Sequence, residues 1–202
     1  MSVTAIDYAL RMGRWASDGG DRLAQAAMEL YAERGFEATT VAEIAARAGL
    51  TERTFFRHYT DKREVVFAGS EVLQERMVSA VAAAPASASP LDAATAGVLA
   101  GAEMLQDRRP LSIARQRVID ATPELQEREL IKFASIADAF TAALRERGVA
   151  DPAAGLTAEV ALAVFRIGFE RWIAEPAKDA VLAEAIHAAL GELPALTATP
   201  AT

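Results

Sequence analysis

TVAEIAARAGLTERTFFRHY, residues 40–59, decides how this chain is read. Thr40-Val41-Ala42-Glu43 has the form of a capping box, in which a threonine oxygen takes an orphan backbone N–H and a glutamate reaches back to the cap. Val41, Ile44, Ala45 and Ala48 recur at helical spacing and give that short helix one apolar face. Gly49 ends it, and Thr51 caps another helix two residues later. Two short capped helices joined at Gly49-Leu50 form a helix-turn-helix. On the second of them Phe55 and Tyr59, four apart, point inward. Arg53 and Arg57, also four apart, share the outer face, with Thr54 and His58 on the adjacent stripe.

Outward from this stretch the chain reads as helical throughout. Of 202 residues 52% are hydrophobic and only 6% aromatic, so a core of small side chains is expected, and frequent alanine with few β-branched residues favours helix over strand. Upstream, Leu23, Ala26, Ala27, Leu30 and Tyr31 line one face of a helix that begins near Asp21 and is closed by Gly35. Downstream, Asp61-Lys62-Arg63-Glu64 reads as a second capping box, opening a fourth helix that runs to about Ala83. A Pro/Ser/Ala linker follows at 84–90. Further helices are expected near 91–107, 110–119, 124–147, 156–174 and 178–191, with Pro110, Pro123, Gly148, Pro152 and Pro176 as punctuation. The fold class is therefore all-α, with about nine helices. No internal repeat is seen.

Composition excludes several classes. There are no cysteines, which removes disulfides and thiolate metal sites. Asp7, Arg11 and Arg14 interrupt any apolar run at the start, so no signal peptide is read there. No stretch is long and apolar enough to span a membrane. The expectation is a soluble cytoplasmic protein. The two histidines, His58 and His187, stand apart, and no HExxH, P-loop or GxGxxG occurs. No catalytic residue, metal ligand or cofactor is expected.

The net charge is −7, yet its distribution is uneven. Between Ile44 and Arg63 stand Arg47, Arg53, Arg57, Lys62 and Arg63 against Glu52 and Asp61, whereas residues 71–202 hold more acidic than basic side chains. A basic patch of this kind on an acidic body suits a reader of DNA. An arginine fork on the outer face of the second helix pairs with O6 and N7 of guanine, and threonine meets a base edge or a thymine methyl. Lys62, at the next helix start, suits a phosphate. The same pattern also fits a plain helical hairpin with a solvated basic edge.

From Asp21 to Val65 the run DRLAQAAMELYAERGFEATTVAEIAARAGLTERTFFRHYTDKREVV closely resembles the DNA-binding domain of the TetR family of bacterial repressors. Ala48-Gly49 at the turn, the Thr51 cap, the aromatic pair Phe55-Phe56 and the following Lys62 carry the resemblance. It implies phosphate contacts at Thr40 and Lys62, a cap at Thr51, base-facing positions at Arg53, Thr54 and Arg57, and a backbone-contacting position at His58. Leu50 and Phe55 would be core. Two departures stand out. The family usually has tyrosine where Phe56 stands; Phe56 has no hydroxyl to offer a phosphate, so at this DNA-binding position an apolar contact with a sugar or a methyl is expected instead. Gly19-Gly20 also replaces basic residues common at the start of the first helix.

The resemblance divides the chain into a flexible arm (1–19), a helix-turn-helix domain (20–66), an effector-binding and dimerisation domain (67–193) and a disordered tail (194–202). In the third, Met104, Phe133, Ile136, Phe140, Phe165, Phe169 and Trp172 make either a plain helical core or the wall of a ligand pocket between helices. Arg117, with Arg115 and Arg166, would orient an anionic ligand or form salt bridges with Glu170 and its neighbours. Val160, Val164 and Ile167, with Val181, Ala185 and Ala188, give two helices apolar, small-residue faces suited to a four-helix dimer interface. The implied function is a homodimeric repressor that binds a palindromic double-stranded DNA operator and answers to a small-molecule effector of unknown identity. An activator or a ligand-independent regulator would share the fold.

Overall fold

The computed structural model describes residues 19–197, with side chains to residue 196. The expected arm lies outside this span except for Gly19, as do residues 198–202 of the expected tail. Among the described residues every regular element is helical. The described residues form nine α-helices: α1 (Gly19–Arg34), α2 (Val41–Arg47), α3 (Glu52–His58), α4 (Ser70–Ala83), α5 (Pro90–Gln106), α6 (Arg109–Asp120), α7 (Pro123–Glu146), α8 (Ala153–Ala174) and α9 (Leu182–Thr197). A single 3-10 turn spans Glu64–Phe67. None of these helices is long and apolar enough to cross a membrane.

The chain forms two compact units. The first holds residues 19–68 together with 114–126, and the second holds 69–113 with 127–197. Leu23, Ala27, Leu30 and Tyr31 of α1 bury against Ile44 and Ala45 of α2 and Phe55 of α3. Val65, Val66 and Phe67 join them, and so do Ile119 and Leu125 from the returning segment. That segment was read with the second domain; its local pattern carries no mark of the unit it packs into.

The fourth helix does not run unbroken from Asp61. Asp61 does act as a cap, accepting N–H bonds from Arg63 at 2.8 Å and Glu64 at 3.1 Å. Three consecutive residues, Val65 to Phe67, are then all buried, which a tight 3-10 turn accomplishes and an amphipathic helix does not. Gly69 adopts a left-handed φ of +81°, and α4 begins only after it.

In the second unit α4 packs on α5, α5 on α8, and α8 on α9. Met77, Val81, Val98, Phe140, Phe165, Trp172 and Ile186 lie in one core. The ninth helix begins at Leu182 rather than near 178, because the preceding loop is held by side chains. Gln106 donates to the carbonyl of Ala180 at 3.0 Å and accepts from the N–H of Leu182 at 2.9 Å. Arg109 donates to the carbonyls of Trp172 and Ala177 at 3.0 and 2.7 Å and also to that of Glu175. At its other end α9 continues past Pro194 to Thr197. Leu190 and Leu193 pack against the core and carry the helix through a proline expected to start a tail.

Gly168 sets the closeness of α8 and α9. A Cβ there would lie 2.9 Å from the backbone N and Cα of Ile186. Gly168→Ala should therefore lower stability by about 1–3 kcal/mol, although alanine is the better helix former by about 1 kcal/mol. Gly155, on the same helix, has nothing within 4 Å of its added Cβ, and Gly155→Ala should raise stability by about 0.5–1 kcal/mol. Urea unfolding followed by circular dichroism checks both; equal shifts would contradict the packing described.

Candidate nucleic-acid interface

Residues 40–59 fold as two short helices, each with a threonine cap. Thr40 Oγ1 accepts from the N–H of Glu43 at 3.3 Å, and the Thr40 N–H donates to Glu43 Oε2 at 2.8 Å, completing the capping box. Hydrogen bonds from the Thr40 hydroxyl and N–H, with Arg34 close by, hold the Glu43 carboxyl below its ordinary range. Thr51 Oγ1 accepts from the N–H of Thr54 at 3.2 Å.

The turn between them depends on two residues. Gly49 adopts φ +65°, a left-handed conformation that costs other residues about 1–2 kcal/mol. Arg22 of α1 donates to the carbonyl of Ala48, the C-cap of α2. A Cβ on Gly49 would stand 3.0 Å from that guanidinium. Sequence reasoning missed Arg22, whose partner lies 26 residues away.

The orientation of α3 follows from burial. Phe55 is fully buried and Thr54 and His58 are half-buried, while Glu52, Arg53, Phe56 and Arg57 are exposed. Arg53 makes no hydrogen bond or ion pair with any described residue. Among the described residues Arg57 meets only the ring of His58, at 3.4 Å. Thr54 also bonds the Thr51 hydroxyl at 3.1 Å, which places it at the edge of the outward face. His58 lies against α1: added Cβ atoms on Gly19 and Gly20 would come within 3.2 and 3.3 Å of its ring. Tyr59 donates to the carbonyl of Gly20 at 3.0 Å. The paired glycines, unusual by sequence, thus make room for two side chains of this segment.

Other basic residues counted by sequence have partners. Arg47 grips Glu33 with two bonds of 2.9 and 2.8 Å and reaches Glu29 at 3.4 Å. Its hydrogen bonds hold the Glu33 carboxyl below its ordinary range. Arg63 pairs with Asp61 at 2.9 Å and Glu124 at 3.5 Å. Lys62, expected at a phosphate, instead donates to the carbonyls of Phe36, Glu37 and Thr39 at 3.0, 3.4 and 3.2 Å. It also sits 4.3 Å above the Phe36 ring. Its three protons are directed at backbone, so it secures the loop between α1 and α2. The local positive excess narrows to Arg53 and Arg57.

The residues expected to line an effector pocket are mostly core. Ile136, Phe140, Phe165 and Trp172 are buried, and Met104, Phe133 and Phe169 are half-buried. Phe169 lies 6.2 Å from Phe165 and 5.7 Å from Trp172, ring centre to ring centre. Arg117 is exposed and belongs to the first unit, apart from the others. A cavity of about 360 Å³ does open in the second unit, lined by Ser70, Glu71, Gln74, Glu75, Lys132, Ser135 and Ile136. Of the expected residues only Ile136 borders it; the rest follow apolar periodicity, which marks packing. Among the expected interface residues Val164 is buried in its own unit's core and is removed from that face. Ile167, Val181 and Ala188 are exposed, and Val160 and Ala185 are half-buried.

Two substitutions test this geometry. Lys62→Met should cost about 1.5–3 kcal/mol, the worth of charged hydrogen bonds to backbone. Gly49→Ala should cost at least about 1–2 kcal/mol from backbone conformation alone. Thermal unfolding reads both. An unchanged melting temperature in Lys62→Met would return that lysine to a purely external role.

Comparison with known proteins identifies the family. Residues 23–68 match the family model described as bacterial regulatory proteins, tetR family. Residues 88–197, more than half of the chain, match the model described as MftR C-terminal domain. The transcriptional regulator TcmR of Streptomyces glaucescens is 32% identical over 111 residues, which span 52% of this chain and 49% of that protein. A Mycobacterium tuberculosis protein named as the mycofactocin biosynthesis transcriptional regulator MftR is 26% identical, covering 89% of this chain and 91% of its own. Among solved structures, the SmeT–triclosan complex superposes with a TM-score of 0.61 at 18% identity, over 87% of this chain and 91% of that one. The repressor FadR of Thermus thermophilus, bound to lauroyl-CoA, gives 0.54 at 24% identity, over 91% and 97%; both likenesses concern the fold. With an N-terminal helix-turn-helix and a C-terminal helical domain each matched by its own family model, the chain belongs to the TetR family of bacterial transcriptional regulators.

Proposed function

We propose that this regulator is a homodimeric, ligand-responsive repressor that acts in the cytoplasm on a palindromic operator. The observation that carries the DNA reading is the outward face of α3, where two guanidiniums, one of them without a partner among the described residues, stand on a helix fixed from behind by Phe55. In the major groove Arg53 and Arg57 meet base edges, with guanine the natural partner of an arginine fork. Thr40, at the exposed start of α2, and Thr51, at the start of α3, are placed for phosphate.

Dimerisation is proposed through the outward faces of α8 and α9. Ile167 of α8 and Ala188 of α9 are exposed, as is Val181 in the loop that precedes α9, and Leu156 of α8 and Leu196 of α9 add apolar area at 63% and 78% exposure. Two-fold pairing lets two reading helices meet two half-sites together. The effector is proposed to be a small organic molecule taken by the second unit, whose cavity falls in the size range of ligand pockets. SmeT with triclosan and FadR with lauroyl-CoA show such ligands in the fold. An effector lowers operator affinity only if it binds the DNA-competent and incompetent states unequally.

Fluorescence anisotropy with duplexes selected by the full-length protein tests the reading. Binding should weaken steeply with salt. Arg53→Ala and Arg57→Ala should each cost about 1–3 kcal/mol and relax preference at one base position. Absence of salt-dependent binding to any duplex would overturn the reading. For the interface, Ile167→Glu should shift the protein from dimer to monomer in sedimentation velocity without lowering its helix content.

A further inference from the structure

Phe56 is the one large apolar side chain exposed on α3, at 56%. At about 100° of rotation per residue, the exposed positions Glu52, Phe56, Arg53 and Arg57 form one continuous arc in that order. Phe56 and Arg53 occupy its middle, and Arg57 lies at one end. Phe55, fully buried, backs the exposed ring edge-on, with ring centres 5.4 Å apart and planes at 80°. An aromatic side chain has two rotatable bonds, and this one rests on an immobile neighbour, so it is presented in a restricted set of orientations. It has no hydroxyl and forms no hydrogen bond, so phosphate and the polar base edges are closed to it. The apolar group that B-DNA displays in the major groove is the C5-methyl of thymine.

We infer that Phe56 is a specificity-determining residue that reads the C5-methyl of one thymine in each half-site. The inference rests on the DNA reading of α3 proposed above. The methyl packs against the ring face while Arg53 and Arg57 address neighbouring bases. The preference is for thymine over cytosine, because cytosine lacks the methyl and places an amino group beside the ring.

Deoxyuridine isolates this contact, since it keeps the pairing edge of thymine and removes only the methyl. The full-length protein first selects duplexes from a randomised library. Each thymine of the selected duplex is then replaced in turn by deoxyuridine, symmetrically in both half-sites, and affinity is measured by anisotropy. One position should show about a fourfold loss per half-site, the worth of one buried methyl. Phe56→Ala should bind the thymine duplex more weakly by a similar factor and should lose the uracil penalty at that position alone. Thr54→Ala should keep it. The inference is overturned if the wild-type protein tolerates uracil everywhere, or if Phe56→Ala keeps the same penalty. Uniform weakening of Phe56→Ala with no uracil effect would assign the ring to sugar instead. Failure to select any duplex would overturn the DNA reading itself, a result distinct from selection followed by indifference to uracil.

Discussion

The burial of Phe55 is the constraint on which the interface depends. A helix of seven residues is too short to persist on its own propensity, so α3 exists because its inner face is packed. Phe55 retains no solvent exposure, and a helix pinned by one residue has its rotation fixed. That single placement turns Arg53, Phe56 and Arg57 outward and leaves Thr54 and His58 at the margins. The Arg22 contact to Ala48 and the left-handed turn at Gly49 then set where α3 starts relative to α2. The reading face is thus a by-product of core packing in the first unit.

A second theme is the use of cationic side chains as backbone caps. Arg22 serves Ala48, and Lys62 serves the carbonyls of Phe36, Glu37 and Thr39. Arg109 binds three carbonyls after α8. Arg147 does the same for Ala82, Ala84 and Pro85 at the end of α4. Helix ends leave carbonyls without intrahelical partners, and a guanidinium with five N–H groups satisfies several at once. One cationic side chain thus closes a chain segment whose carbonyls would otherwise lack donors. This also means that a count of positive charges overstates what is available to a nucleic acid.

Local signals were legible in the sequence, and distant ones were not. The capping box at Thr40–Glu43, the Thr51 cap and the apolar faces of α1 and α2 lie within one or two helical turns, and they appear in the structure as read. Lys62 illustrates the opposite case. Its position after the aromatic pair pointed outward, but its partners lie 23 to 26 residues away and only the tertiary fold brings them near. The break at Gly69 was hidden because Asp61 does cap a helical turn, only a shorter one. Phe140, Phe165 and Trp172 were read as core or pocket wall. Periodicity does not separate these, because both demand apolar residues at the same spacing, and burial places the three in the core.

The return of residues 114–126 to the first unit bears on how such proteins are taken apart and recombined. Ile119 and Leu125, both fully buried, fill its core from a stretch nearly fifty residues beyond Ala68. The reading head is therefore not a detachable N-terminal cassette. Grafted onto a foreign body at residue 68, it would carry two apolar vacancies that its new host must fill with side chains of matching shape. Exchange of heads between regulators is thereby limited to pairs whose distant segments happen to fit, and drift in the C-terminal sequence is restrained at two positions by packing alone.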